Sequence, residues 1–268
     1  MQEDFLLTNE NYYSDEANER YMSVHQYLDF CGHMGVKGCE ERALKRLHGE
    51  YSEETTLAQL VGSYVDAYFE GTLPEFKEAH PECFTQKGEL KAPYKQAEKM
   101  IARCEEDEFF MQTMSGEKQK IMTAYLFGCE WKIKIDSYIP GVAIVDLKTS
   151  ADIHRAWNVR DFGKVSFIEY WGYTIQGAIY QKVVEINTGK KLPFFISVVT
   201  KEDSPELAVV GIDQMTLDHA LNEVAMNMEM LLQVKSGEVP PTRCESCDYC
   251  KATKKLTAPI SMNELFND

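Results

Sequence analysis

Residues 128–150 read GCEWKIKIDSYIPGVAIVDLKTS, and the fold turns on this stretch. Strand-forming residues flank Pro140-Gly141, so the pattern predicts a β-hairpin. Asp136 lies near the end of the first strand. Asp146 and Lys148 lie two apart on the second and therefore project from one face. Whether Asp136 joins them depends on the turn. An odd loop such as Ile139-Pro140-Gly141 pairs position 138 with 142 and 134 with 146, which puts Asp136, Ile144, Asp146 and Lys148 on one face. A two-residue loop sends Asp136 to the other face unless a bulge intervenes.

Such a face has a chemistry. Carboxylates held together repel, and a hard divalent cation such as Mg²⁺ relieves this by accepting their oxygens. The cation polarises a phosphoryl oxygen and lowers the pKa of water, while Lys148 adds a positive charge able to orient that water. This is equipment for phosphodiester hydrolysis. A surface hairpin with solvated charges is the plainer reading of D-x-K spacing alone. The apolar run VAIV before Asp146 instead suits a core strand that emerges at a cleft.

Outward from the hairpin, the periodicity predicts a helix from Ser23 with Gln26 closing a capping box, and helices over 40–48 and 55–71. A loop is expected over 72–93 and a helix over most of 94–114. The strand pattern begins at Ala124. A helix over 167–186, strands over 192–202 and 206–213, and a long helix over 217–234 complete a mixed α/β chain around a small sheet.

Among the 268 residues are 28 Lys+Arg and 43 Asp+Glu, a net charge of −15. That balance argues against a generally basic nucleic-acid surface but allows a short basic path inside an acidic shell. The opening MQEDFLLTNE is acidic with a short apolar patch, unlike a secretory signal, and no apolar stretch approaches the ~20 residues that span a bilayer. A cytoplasmic protein is expected, with no membrane partner.

Asp136, followed ten residues later by Asp146-Leu147-Lys148-Thr149, resembles the PD-(D/E)xK nuclease signature in its RecB- and RecE-type form. Gly62-Ser63-Tyr64-Val65-Asp66 resembles the upstream G-x-x-x-H motif, with Asp66 where relatives often carry His. Tyr173-x-x-Gln176-x-x-x-Tyr180 resembles the downstream Q-x-x-x-Y motif. The chain as a whole is similar to the RecE-like exonucleases of phages and prophages. The resemblance implies that Asp66, Asp136 and Asp146 bind Mg²⁺ or Mn²⁺, that Lys148 handles the nucleophile, and that Gln176 and Tyr180 position DNA or the lysine. It also implies 5′→3′ degradation of linear duplex DNA, a ring-shaped homo-oligomer and a single-strand-annealing or recombination partner. Nuclease domain boundaries of 22–243 follow, with an acidic arm over 1–21 and a cysteine-bearing tail over 244–268. The rivals are an iron–sulfur nuclease acting on single-stranded ends and a non-catalytic protein that binds DNA ends.

Cys244-Glu-Ser-Cys247-Asp-Tyr-Cys250 is too polar between its thiols to be core packing. Three close cysteines with one remote cysteine suit a 4Fe–4S cluster first; zinc, which more often uses two separated Cys-x-x-Cys pairs, and free thiols are the alternatives. Some RecB-type nucleases join their C-terminal end to an N-terminal cysteine in this way. Cys39 is the first candidate for the fourth ligand and Cys31 the second.

Overall fold

The structure, a computed structural model, describes residues 5–259 and 261–265. Helices dominate its first half. α1 (Asp15–Arg20), α2 (Val24–Cys31) and α4 (Leu57–Glu70) begin at Ser14, Ser23 and Thr56, whose side chains each accept from the backbone N–H three residues on. That bond satisfies one of the donors a helix start leaves free. The box expected at Ser23 is only half made, because Gln26 donates to the carbonyls of Asn18 and Tyr21 at 2.8 and 3.2 Å. α3 (Glu40–Leu47) starts at Cys39, which gives no side-chain cap. The stretch expected as loop holds α5 (Leu73–Ala79) and a 3-10 turn at Pro81–Cys83. Proline in a first helical turn forfeits no hydrogen bond, so it is compatible with the start of α5. The helix expected over 94–114 is two, α6 (Ala92–Glu105) and α7 (Glu108–Thr113), since Asp107 caps the second through the N–H of Phe110.

The stretch 124–139 is not one strand. β1 (Glu117–Leu126) and β2 (Cys129–Ile139) meet at a two-residue turn, Phe127-Gly128, with φ of 51° and 89°. Turns with two positive φ values normally advertise themselves as Asn-Gly, and a phenylalanine there leaves no such signal. β3 (Ala143–Ser150) follows a three-residue loop, with Ile139 opposite Ala143 and Tyr138 opposite Ile144. The loop is odd as required, and the register runs two residues beyond the expected one, with Ser137, next to Asp136, opposite Val145, next to Asp146. After a small hairpin of β4 (Trp157–Val159) and β5 (Gly163–Val165) come α8 (Phe167–Tyr170) and α9 (Tyr173–Thr188). The single helix expected there breaks at Gly172, which takes φ 73°. β6 (Phe194–Thr200), β7 (Leu207–Gly211), α10 (Gln214–Ser236) and the short α11 (Asp248–Ala252) complete the chain.

The main sheet runs β1-β2-β3-β6-β7, antiparallel except for the central pair β3 and β6. The parallel pair needs a long crossover, and α9 supplies it. Core lies on both faces. Ile144, Ile196 and Val198 pack with α9 and α10, while Val145, Leu147 and Val199 pack with α4 and α6. Asp146 and Lys148 therefore continue the Ile144 face toward α9. Part of the expected acidic arm is packed as well: Tyr12 and Ala17 are buried. No helix among the described residues is long and apolar enough to cross a membrane.

Candidate active site

The geometry starts where β2 and β3 part. The ladder runs to Ser137 opposite Val145. Beyond it Asp136 Oδ2 accepts from the N–H of Leu147 at 2.8 Å, so a side chain takes the place of the next backbone bond. Ile135 and Tyr138, three apart, join the same core cluster, so β2 changes face across this point. Opposite, Gln119 adopts φ 49° and donates to Asp136 Oδ1 at 3.2 Å.

Asp146 is 2 % exposed. Its Oδ1 accepts from Gln176 Nε2 at 2.6 Å, and its Oδ2 meets the Lys148 ammonium. Apart from that ion pair Oδ2 accepts no hydrogen bond among the described residues, and neither does the buried Oε1 of Gln119. Lys148 lies 5.1 Å from the centroid of the Tyr173 ring. Burial pushes the Asp146 carboxyl above its usual range, against the pull of Lys148. For Lys148 burial acts downward, but Asp146, Tyr173 and Asp136 outweigh it and hold the ammonium above its ordinary value. Asp66 on α4 is raised well above the carboxylate range, by burial first and then by the charge of Asp136.

These groups line one cavity of about 720 Å³. Asp66, Asp136, Asp146, Lys148, Gln176 and Tyr180 all border it, so the residues expected to act together do meet. Their carboxylate oxygens are not gathered within 4.8 Å of one another, however. Gln176 donates to the Asp146 carboxylate that pairs with Lys148, and Tyr180 donates to the carbonyl of Lys134 on β2. A buried carboxylate oxygen whose one partner is the Lys148 ammonium, set among further acidic groups, fits a hard divalent cation, whose charge offsets their repulsion. Arg46, Lys132 and Lys134 also border the cavity, but Arg46 pairs with Asp29 and Glu53 and Lys132 is buried against the Tyr12 carbonyl and Asn18, which leaves Lys134 as the half-buried cation of the three.

A family model described as a PDDEXK-like domain of unknown function (DUF3799) matches residues 23–253. The chain belongs to this family. A crystal structure of a presumed exonuclease from Eubacterium rectale is 55 % identical, covers 97 % of this chain and 98 % of its own, and superposes with a TM-score of 0.95. No curated protein matches.

Within the PDDEXK-like domain, sequence reasoning missed Glu70 and Gln119. Glu70 sits one helical turn after Asp66 on the same face and borders the same cavity. The D-x-x-x-E spacing was available as a signal. Burial raises its carboxyl, with Lys134 opposing and Asp136 adding to the rise. Gln119 offered no signal, because its role depends on a backbone twist. Of the aromatics between Lys148 and Gln176, Phe167 is buried and Trp157 stacks on Tyr170 at 4.1 Å. Phe162 and Trp171 are exposed, and Trp171 borders the cavity.

The thiols of Cys39, Cys244, Cys247 and Cys250 form a second site, all within 4.8 Å of one another. Cys31 lies outside it. Cys39 Sγ stands 3.6 Å from Cys250 Sγ, and Cys244 Sγ 4.0 Å from Cys250 Sγ. A clasp surrounds them. Arg243 bonds Glu41 at 3.1 Å and the Cys250 carbonyl at 2.9 Å, and Tyr249 donates to Glu41 at 3.1 Å.

Proposed function

We propose that this PDDEXK-like domain is a metal-dependent exodeoxyribonuclease that degrades linear double-stranded DNA 5′→3′ in phage-type recombination. The observation that carries the reading is Asp146, buried beside Lys148 in a cavity shared with Asp66 and Asp136, its Oδ2 accepting nothing beyond that ion pair among the described residues. The structural likeness to a presumed exonuclease supports it.

Asp66, Asp136 and Asp146 would hold Mg²⁺ or Mn²⁺. When bound, such a cation supplies Lewis-acid polarisation of the phosphate and a lower pKa for water. The protein groups do the remaining work. Gln176 fixes Oδ1 of Asp146 and so leaves Oδ2 to Lys148. Leu147 N–H and Gln119 hold both oxygens of Asp136. Lys148, kept charged by Asp146, orients the attacking water and steadies charge that grows on the phosphate. Lys134, half-buried at the cavity, offers a cation to the DNA backbone. In the cell we place the enzyme in the cytoplasm, as a ring-shaped homo-oligomer handing its 3′ strand to an annealing or recombination protein.

The test is digestion of end-labelled linear duplex with and without Mg²⁺, comparing wild type with Lys148→Ala. The expected outcome is Mg²⁺-dependent loss of DNA that falls by about a hundredfold or more in the variant, the scale of a lost proton-handling group. The 5′ label should leave first. Binding without digestion, or digestion unchanged by the substitution, would remove the catalytic reading.

A further inference from the structure

The four-thiol site has a geometry that discriminates between metal centres. In a four-iron cluster each cysteine binds a different iron at the corner of a cube, which keeps the sulfurs well apart. A single tetrahedral zinc with bonds of about 2.3 Å brings its sulfurs to about 3.8 Å from one another, the edge of the tetrahedron. Here the sulfurs stand 3.6 and 4.0 Å apart in two pairs, and all four lie within 4.8 Å.

We propose that Cys39, Cys244, Cys247 and Cys250 bind one structural zinc ion rather than an iron–sulfur cluster. The inference is independent of the nuclease reading. Soft thiolates favour zinc over the hard cation suited to the carboxylate cavity. Four protein ligands leave no open position, so this ion holds structure and performs no chemistry.

The surroundings match thiolate ligation. The N–H groups of Cys247 and Cys250 donate to the sulfurs of Cys244 and Cys247 at 3.3 and 3.4 Å, forming two successive turns that aim the sulfurs inward. The Arg243 guanidinium, itself paired with Glu41 and Glu245, bonds the Cys250 carbonyl and so braces the segment that bears the thiols. A cavity of about 370 Å³ bordered by Cys39 and Cys244 gives the ion a way in. Cys39 fails to cap α3 because its sulfur faces the other thiols instead. The ion would join positions 211 apart in sequence and so fasten the α2–α3 region to the C-terminal segment. The same region carries Arg46, on the wall of the catalytic cavity.

Elemental analysis of the full chain, purified under anaerobic conditions without chelator, tests this directly. The expected result is one zinc per chain, no acid-labile sulfide and no visible absorption, with cobalt substitution giving the intense bands of a tetrahedral thiolate site. Cys250→Ser should lose the metal and Cys31→Ser should keep it. A chelator added to wild type should lower the midpoint of thermal unfolding. Iron with stoichiometric sulfide, or no metal, would overturn the proposal, and both are read on wild type whether or not a variant folds. Nuclease activity of the Cys31→Ser protein should be unchanged.

Discussion

A carboxylate at position 66 has to be charged to hold a cation, in surroundings that favour its proton. Burial and the neighbouring Asp136 raise Asp66 well above its ordinary 3.8. Between that value and the raised one, the folded state binds more protons than the unfolded state. Stability therefore falls as pH rises through this window, and the cost is complete once Asp66 is ionised in both states. Asp66→Asn removes the cost. The metal-free variant should be more stable than wild type at pH 8 by a few degrees, with ~1 kcal/mol worth about 2–4 °C in a chain of this size. The advantage should vanish near pH 4, and the variant should lose the stabilisation that added Mg²⁺ gives wild type. Thermal scans across pH, with and without Mg²⁺, measure both. An advantage that persists at pH 4 would mean that the amide gains through packing rather than through lost charge. At this scale the motif residues were legible because type and spacing carry their chemistry. The partners were not: Gln176 reaches Asp146 across 30 positions, and Gln119 reaches Asp136 only because β1 twists.

The elements that place these residues depend on close approach. Gly177 on α9 is one such contact: a methyl group there would sit 2.7 Å from Phe194 Cδ1 and 2.9 Å from Leu217 Cδ2. Both neighbours are buried in the core that α9, β6 and α10 share. Overpacking costs about 1–3 kcal/mol, and the better helix propensity of alanine returns about 1 kcal/mol at most. Gly177→Ala should therefore lower stability by up to about 2 kcal/mol in urea unfolding. A gain would show that Phe194 yields without loss. The same helix carries Gln176, so a shifted α9 should also reduce digestion through the grip on Asp146. Elements whose ends are marked by caps, such as α4 from Thr56 to Gly71 and α10 from Asp213 to Gly237, were readable within a few residues. Others were not. The Phe127-Gly128 turn lacks a strong local signal, and the α6–α7 and α8–α9 breaks each turn on one cap residue, Asp107 and Gly172, within a run otherwise compatible with helix.

Across the whole molecule, the segment at Glu40 and Glu41 closes on the segment from Thr242 to Thr253. Glu40 accepts from the N–H and hydroxyl of Thr242, both at 2.7 Å, and Arg243 links Glu41, Glu245, the Cys250 carbonyl and Thr253. The sequence showed that the cysteines belong together, but not that a clasp of charged side chains would surround them, since those partners lie about two hundred positions apart. Arg243 is the node of this clasp. Hydrogen bonds to charged groups contribute about 1.5–3 kcal/mol each when well shielded, and those at a partly exposed site contribute less. Arg243→Ala should accordingly destabilise by about 1–2 kcal/mol. If the two segments form one cooperative unit, amide exchange should quicken together in residues 23–50 and 242–253 while β2 and β3 keep their protection. Faster exchange confined to 242–253 would instead mean that α2 and α3 are held by their packing on α10 and β2, with the clasp securing only the tail.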